Sequence, residues 1–182
     1  MSRTELKLKL LACIVILGFI ICWPTGQACA ESSLPFPFVD DMESGTANWM
    51  VTPSDTWTIT NPVNGAYSGS NAWIFSDYIK DTDAALTLAG NINIPVDTNP
   101  YLEFWHMIGV SGEDQALVEY STDNGITWQV LAAYKNRQST NWQKESINLS
   151  GINGNVCIRF RMVTDGSVTG GSWTIDDVSI FN

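Results

Sequence analysis

Residues 116–133 read ALVEYSTDNGITWQVLAA, and this stretch decides the fold class. In Ala116-Leu117-Val118-Glu119-Tyr120 the side chains of Ala116, Val118 and Tyr120 fall on one face of a pleated strand. Asn124-Gly125 then supplies residues that tolerate positive φ, and an apolar run resumes at Trp128. Strand, tight turn and strand therefore predict an antiparallel hairpin. Within it, Ser121-Thr122-Asp123-Asn124-Gly125-Ile126-Thr127-Trp128 matches the Asp-box pattern S-x-D-x-G-x-T-W. Asp can accept backbone N–H bonds across the turn, and Trp can pack beneath it. A single copy cannot build a multi-bladed propeller, so the motif is read as a hairpin staple.

Working outward, the same signature recurs on both sides. Ile158-Arg159-Phe160-Arg161-Met162 alternates apolar and basic residues, and Asn64-Gly65, Asn153-Gly154 and Asp165-Gly166 are further turn signals. Strands are predicted at 38–42, 56–60, 72–75, 84–94, 101–108, 116–121, 128–133, 143–148, 156–163 and 171–180. About ten short strands without an amphipathic helical run predict an all-β, two-sheet antiparallel β-sandwich, a jelly roll in a single domain.

The N-terminus has another character. Arg3, Lys7 and Lys9 precede an apolar run from Leu10 to Trp23, and Ala28-Cys29-Ala30 follows. A basic region, a short apolar core and a small-x-small site read as a cleavable signal peptide over residues 1–30, with Glu31 as the new N-terminus. Fourteen apolar residues fall short of the ~20 that span a bilayer, so no membrane insertion is expected after cleavage. A lipid-modified Cys29 is disfavoured because Gly26 stands where a lipobox needs a branched apolar residue. Residues 31–37 read as a short leader and 38–182 as the sandwich.

Cleavage after Ala30 removes Cys13, Cys22 and Cys29 and leaves Cys157 alone, a small buried apolar residue in a disulfide-free domain. It also removes three of nine basic residues and one of nineteen acidic ones, leaving six against eighteen, a net charge of −12. Such a chain repels nucleic acid and anionic membranes. The expected location is extracellular or at the cell surface.

Acidic residues gather at both ends of the domain: Asp40, Asp41 and Glu43 early, Asp176 and Asp177 late. Jelly rolls often bring the first and last strands together, and converging oxygen ligands suit a hard cation. A structural Ca²⁺ site is therefore expected, with Glu43 and Asp176 as the best ligands. Catalysis finds little support. His106 is the only histidine and sits in Phe104-Trp105-His106-Met107 as a packed strand residue, and no G-x-S-x-G occurs. Glu113-Asp114 reads as a solvated loop pair. Most tryptophans belong to the core, with Trp49 and Trp142, beside polar loops, as candidates to stack on sugar rings. Arg159 and Arg161 either pair with acids across the sheet or line a polar groove.

Phe38-Val39-Asp40-Asp41-Met42-Glu43-Ser44-Gly45, Tyr67-Ser68-Gly69-Ser70-Asn71-Ala72-Trp73, Tyr101-Leu102-Glu103-Phe104-Trp105 and Trp173-Thr174-Ile175-Asp176-Asp177-Val178 occur in this order, with the hairpin between. Together they resemble the MAM-like jelly-roll domain near the C-terminus of immune inhibitor A metallopeptidases. That resemblance implies a non-catalytic module akin to carbohydrate-binding and adhesion domains. It also implies a Ca²⁺ or Na⁺ site with Glu43 and Asp176 as side-chain ligands, joined by Asp41 and Asp177. No peptidase domain accompanies it, and the disulfide cysteines of animal MAM domains are absent. The expected function is a secreted, calcium-stabilised module recognising a glycan or cell-surface protein. The alternatives are a structural matrix component without a small ligand, and a β-sandwich polysaccharide hydrolase or lyase.

Overall fold

A computed structural model describes residues 13–16, 19–22, 29, 32–62, 65–75, 81–166 and 171–182. Most of the proposed signal peptide, together with Asn64 of one predicted turn, lies outside the described residues. Two short N-terminal strands, β1 (Cys13–Ile16) and β2 (Phe19–Cys22), pair antiparallel. The sandwich then follows in chain order: β3 (Ser33–Leu34), β4 (Phe38–Asp40), β5 (Trp49–Thr52), β6 (Trp57–Thr60) and β7 (Ala72–Phe75). Next come β8 (Asp83–Leu88), β9 (Asn91–Ile94), β10 (Tyr101–Val110), β11 (Gln115–Ser121) and β12 (Gln129–Tyr134). Last are β13 (Arg137–Gln138), β14 (Gln143–Asn148), β15 (Gly154–Val163) and β16 (Ser172–Phe181).

These strands form two sheets. One runs β13-β10-β16-β7-β6, with β14 also on β10 and β4 on β16. The other runs β12-β11-β15-β8-β5, with β9 on β15 and β3 on β9. Among the described residues every pairing is antiparallel except β3 with β9. The expected two-sheet antiparallel β-sandwich is what the chain forms. β4, the first strand of the sandwich expected at 38–182, lies beside the last, β16, with Val178 opposite Asp40 and Ile180 opposite Phe38.

Strand parity builds the core. Leu102, Phe104, His106, Ile108 and Val110 of β10 point inward, as do Val156, Ile158, Phe160 and Met162 of β15. Phe160 meets Trp173 edge to face, ring centroids 5.5 Å apart, joining the two sheets at their centre. In β16 the inward set is Trp173, Ile175, Val178 and Ile180. Two residues rather than one separate Ile175 from Val178, because a β-bulge inserts one residue opposite Glu103–Trp105. Asp177 takes φ +46° there.

Within the short leader read at residues 31–37, Ser33–Leu34 pairs with Asn91–Ile92. Two expectations change. The predicted strand 84–94 is two strands, broken at Ala89–Gly90, where Asn91 N donates to Ser32 O. Cys157 does not stand alone: Cys29 is buried and its Sγ is bonded to Cys157 Sγ, with Cα atoms 6.4 Å apart. The disulfide-free expectation rested on losing Cys29.

Candidate binding site

The acidic residues do meet, but around backbone amides. Glu43 Oε1 accepts from Ser70 N (2.8 Å) and Asn71 N (2.7 Å). Asp176 Oδ2 accepts from Tyr67 N (2.8 Å) and Ser68 N (3.2 Å), and its Oδ1 from Asp177 N (2.8 Å). Asp177 Oδ1 accepts from Ser68 Oγ at 2.8 Å. Glu43, Asp176 and Asp177 thus grip one loop, residues 67–71, from both sides. Asp176 faces that loop by alternation from Ile175, and the bulge in β16 adds Asp177 beside it. Gly69 completes the fit: it adopts φ +58°, and a Cβ there would lie 2.6 Å from the Glu43 carboxyl carbon.

Asp40 and Asp41 do other work. Asp40 is buried, accepting from Met42 N through Oδ1 and from Asn48 Nδ2 and Trp49 Nε1 through Oδ2, each at 2.9 Å. Asp41 is exposed and accepts from Glu43 N at 3.2 Å. Among the described residues, no three acids, histidines or cysteines converge as a metal-binding group. Nor does any of these five acids carry an ion pair there. Burial pushes the Asp176 carboxyl up to about 6, opposed by the Ser68, Asp177 and Tyr67 amides and aided by the Asp177 charge.

The loop held by these acids presents an aromatic group. Tyr67, 41% exposed, stacks on Trp105 with ring centroids 3.7 Å apart and planes 13° from parallel. Trp142 meets Tyr67 edge-on at 6.1 Å and donates from Nε1 to Gly65 O at 3.3 Å. Trp105 lies outward on β10 because its parity is opposite to that of Phe104 and His106. Beside it is a cleft of about 320 Å³ lined by Asp41, Ser68, Glu103, Trp105, Lys144 and Asp177. Lys144 Nζ lies 2.6 Å from Glu103 Oε2, and Ser146 Oγ donates to Glu103 Oε1 at 3.0 Å. A flat aromatic surface flanked by paired polar groups is the chemistry that binds a ring with hydroxyls on its rim.

Other candidates fall elsewhere. Trp49 is buried with its indole N–H on Asp40, so it is no stacking platform. Trp142 is half-buried and serves as the edge partner of Tyr67, a residue the sequence reading had not singled out. Arg159 and Arg161 pair with acids: Arg159 Nε lies 2.6 Å from Glu119 Oε2, and Arg161 Nε lies 2.6 Å from Asp83 Oδ1. Arg159 also covers the Trp128 ring at 4.0 Å. Asp114 is buried and accepts from Asp165 N at 2.7 Å, so it is not a solvated loop acid. His106 is fully buried, its Nδ1 accepting from Trp173 Nε1 at 3.1 Å. A second cleft, about 470 Å³, opens beside edge strands β5 and β6 against Trp49, Trp57 and Trp73. It has no charged lining residue.

The predicted hairpin staple has the hydrogen bonds its residue types suggest. Asp123 Oδ1 accepts from Thr127 N (2.8 Å) and Ser121 Oγ (2.7 Å), and Gly125 N donates to Ser121 Oγ (2.8 Å). Trp128 Nε1 closes the turn on Gly125 O at 3.1 Å. The Thr127 and Ser121 bonds hold the Asp123 carboxyl at about 2.

With the geometry in place, comparison locates the chain among known proteins. Bacillopeptidase F of Bacillus subtilis (strain 168) is 23% identical over 172 residues, 88% of this chain. The chain spans only 12% of that relative's length. The K1 cleaved adhesin domain of Lys-gingipain from Porphyromonas gingivalis W83 superposes with TM-score 0.61 at 16% identity, covering 80% of this chain and 98% of that one. TmCBM61, solved in complex with β-1,4-galactotriose, gives 0.56 at 16% identity, covering 78% and 94%. At these identities the structural likenesses show the fold. Residues 54–181 match Reelin subrepeat B, and the chain belongs to that family.

Proposed function

We propose that this chain is an exported, non-catalytic binding module that recognises a glycan at the Tyr67–Trp105 platform. The observation that carries the reading is an exposed tyrosine stacked on a tryptophan beside a cleft of paired polar side chains. Its likeness to a galactotriose-bound carbohydrate-binding module and to a gingipain adhesin domain supports the same class. The N-terminal basic, apolar and small-x-small pattern supports export and an extracellular or surface location. Non-catalysis is supported by the sole histidine being sealed in the core and by Glu103 being engaged with Lys144. The test is a glycan array followed by calorimetry on the best oligosaccharide. Trp105→Ala weakens binding about two- to tenfold, since an aromatic stacking contact is worth about 0.5–1.5 kcal/mol beyond the area it buries. No glycan binding, with capture of a surface protein through the same face, would favour the adhesion reading suggested by the MAM-like resemblance. Release of sugar products would favour the hydrolase or lyase.

Ca²⁺ is part of this proposal. Glu43, Asp176 and Asp177 bring oxygen donors and uncompensated charge to one loop, which suits a hard cation, with Asp41 nearby. Their carboxylates already accept amide bonds, so the ion would use the remaining lone pairs and loop carbonyls. Calcium at a hundred times its dissociation constant then stabilises the fold by about 2.7 kcal/mol. EDTA lowers the melting temperature and Glu43→Gln or Asp176→Asn blunts the response. Identical melting curves in EDTA and millimolar Ca²⁺ remove the ion from the proposal.

A further inference from the structure

The reading of residues 1–30 as a signal peptide places the cut after Ala30, yet that cut discards a residue built into the sandwich. Cys29 is 3% exposed, with Sγ bonded to Cys157 in the middle of the domain, 128 residues away. Its N–H donates to Asn124 O at 2.9 Å, on the Ser121–Trp128 turn, and Asn124 Oδ1 accepts from Asn91 Nδ2 at 2.9 Å. From Ser32 onward the chain lies on the sheet edge: Ser32 Oγ donates to Ala89 O at 2.6 Å, and Ser33–Leu34 pairs with β9. A cut after Ala30 would leave Cys157 Sγ without its partner and Asn124 O without its donor.

A second small-x-small site exists two residues earlier. Gly26-Gln27-Ala28 places glycine and alanine at the two positions that processing reads, and no site further upstream in Trp23-Pro24-Thr25-Gly26 does so. We infer that export processing hydrolyses the Ala28–Cys29 bond, and that the mature chain begins with a Cys29 disulfide-bonded to Cys157. Water adds across the peptide bond, leaving a carboxylate on Ala28 and an amine on Cys29, which remains a donor toward Asn124 O. The two thiols then lose two protons and two electrons to a disulfide oxidant of the export compartment, by thiol–disulfide exchange. Because Sγ is committed to Cys157, no thioether to a diacylglycerol can form on it.

This inference rests on the export reading, and one experiment separates the two. The full chain is expressed in an exporting bacterium, and the product is measured by intact mass before and after reduction, without and with thiol alkylation. The expected species begins at Cys29, gains two hydrogens on reduction, and takes up alkylating agent at two cysteines only after reduction. Cys157→Ser yields the same N-terminus with one alkylatable thiol and a melting temperature lower by about 10 °C, as expected for opening so long a loop. A species beginning at Glu31 overturns the inference and leaves export standing. Retention of residues 1–28 overturns both. A Cys29 that carries lipid, or alkylates without reduction, overturns the disulfide.

Discussion

His106 makes the stability of this domain depend on pH in a way that can be worked out in sign and size. Its ring is fully buried against Phe104, Tyr134 and Trp173, and Nδ1 accepts the Trp173 indole proton, so the neutral form carries its proton on Nε2. Burial first, and the Arg137 charge second, lower its pKa from 6.5 to about 4. As pH falls from 6.5 toward 4, the unfolded chain takes up a proton that the folded chain refuses, and stability is lost. At about 1.4 kcal/mol per pH unit the loss amounts to roughly 3 kcal/mol. Asp176 works in the opposite sense. Its folded pKa is raised from 3.8 to about 6, so over nearly the same range the folded chain binds the proton first and gains roughly 3 kcal/mol. The two contributions nearly cancel between pH 6 and 4. His106→Gln keeps an acceptor for Trp173 and removes one of them, so this variant becomes more stable relative to wild type as pH falls. Asp176→Asn becomes less stable relative to wild type by a similar amount. Urea denaturation in EDTA at fixed ionic strength, at pH 7, 6, 5 and 4, reads both effects as differences from wild type, in which every other titrating group drops out. Parallel curves for all three proteins would refute the reasoning.

Two other substitutions test the site and its scaffold. Gly69→Ala forces a side chain into positive φ and against the Glu43 carboxyl, so Glu43 swings off the Ser70 and Asn71 amides. The cost is about 1–2 kcal/mol, and near-ultraviolet circular dichroism loses the contribution of the Tyr67–Trp105 stack. An unchanged spectrum would mean that the loop does not depend on Glu43. Glu119→Gln leaves the largely buried Arg159 without its anion, and destabilisation of about 3 kcal/mol is expected in chemical denaturation. A loss below about 1 kcal/mol would show that stacking on Trp128 suffices to hold Arg159.

Period-two alternation is strong enough to be read where a strand has one buried face, which is why the Ile158–Val163 part of β15 matches its sequence reading. In β11, where Leu117 and Glu119 are buried along with Ala116 and Val118, apolar content and the Asn124-Gly125 turn located the strand instead. The adjacency of the acidic ends was also legible, because a jelly roll closes its first strand on its last, as Asp40 and Val178 do. What those acids grip was not. A carboxylate has the same sequence signature whether its neighbour is a cation or an amide, and the partners lie in a loop more than 100 residues from Asp176. One local signal did exist: Ile175 and Val178 are both apolar but three apart, which in a strand with a buried face requires an inserted residue. Asp176 faces the 67–71 loop by ordinary alternation from Ile175, the insertion adds Asp177 beside it, and the loop in turn sets Tyr67 on Trp105. Trp105 could have been preferred to Trp49 by the same parity argument, since Phe104 and His106 flank it on the inward face. The docking of Cys29 and Ser33–Leu34 had no such signal. A two-residue parallel strand carries no periodicity, and its pairing with Asn91–Ile92 becomes visible only once the sheet edge it covers has been built.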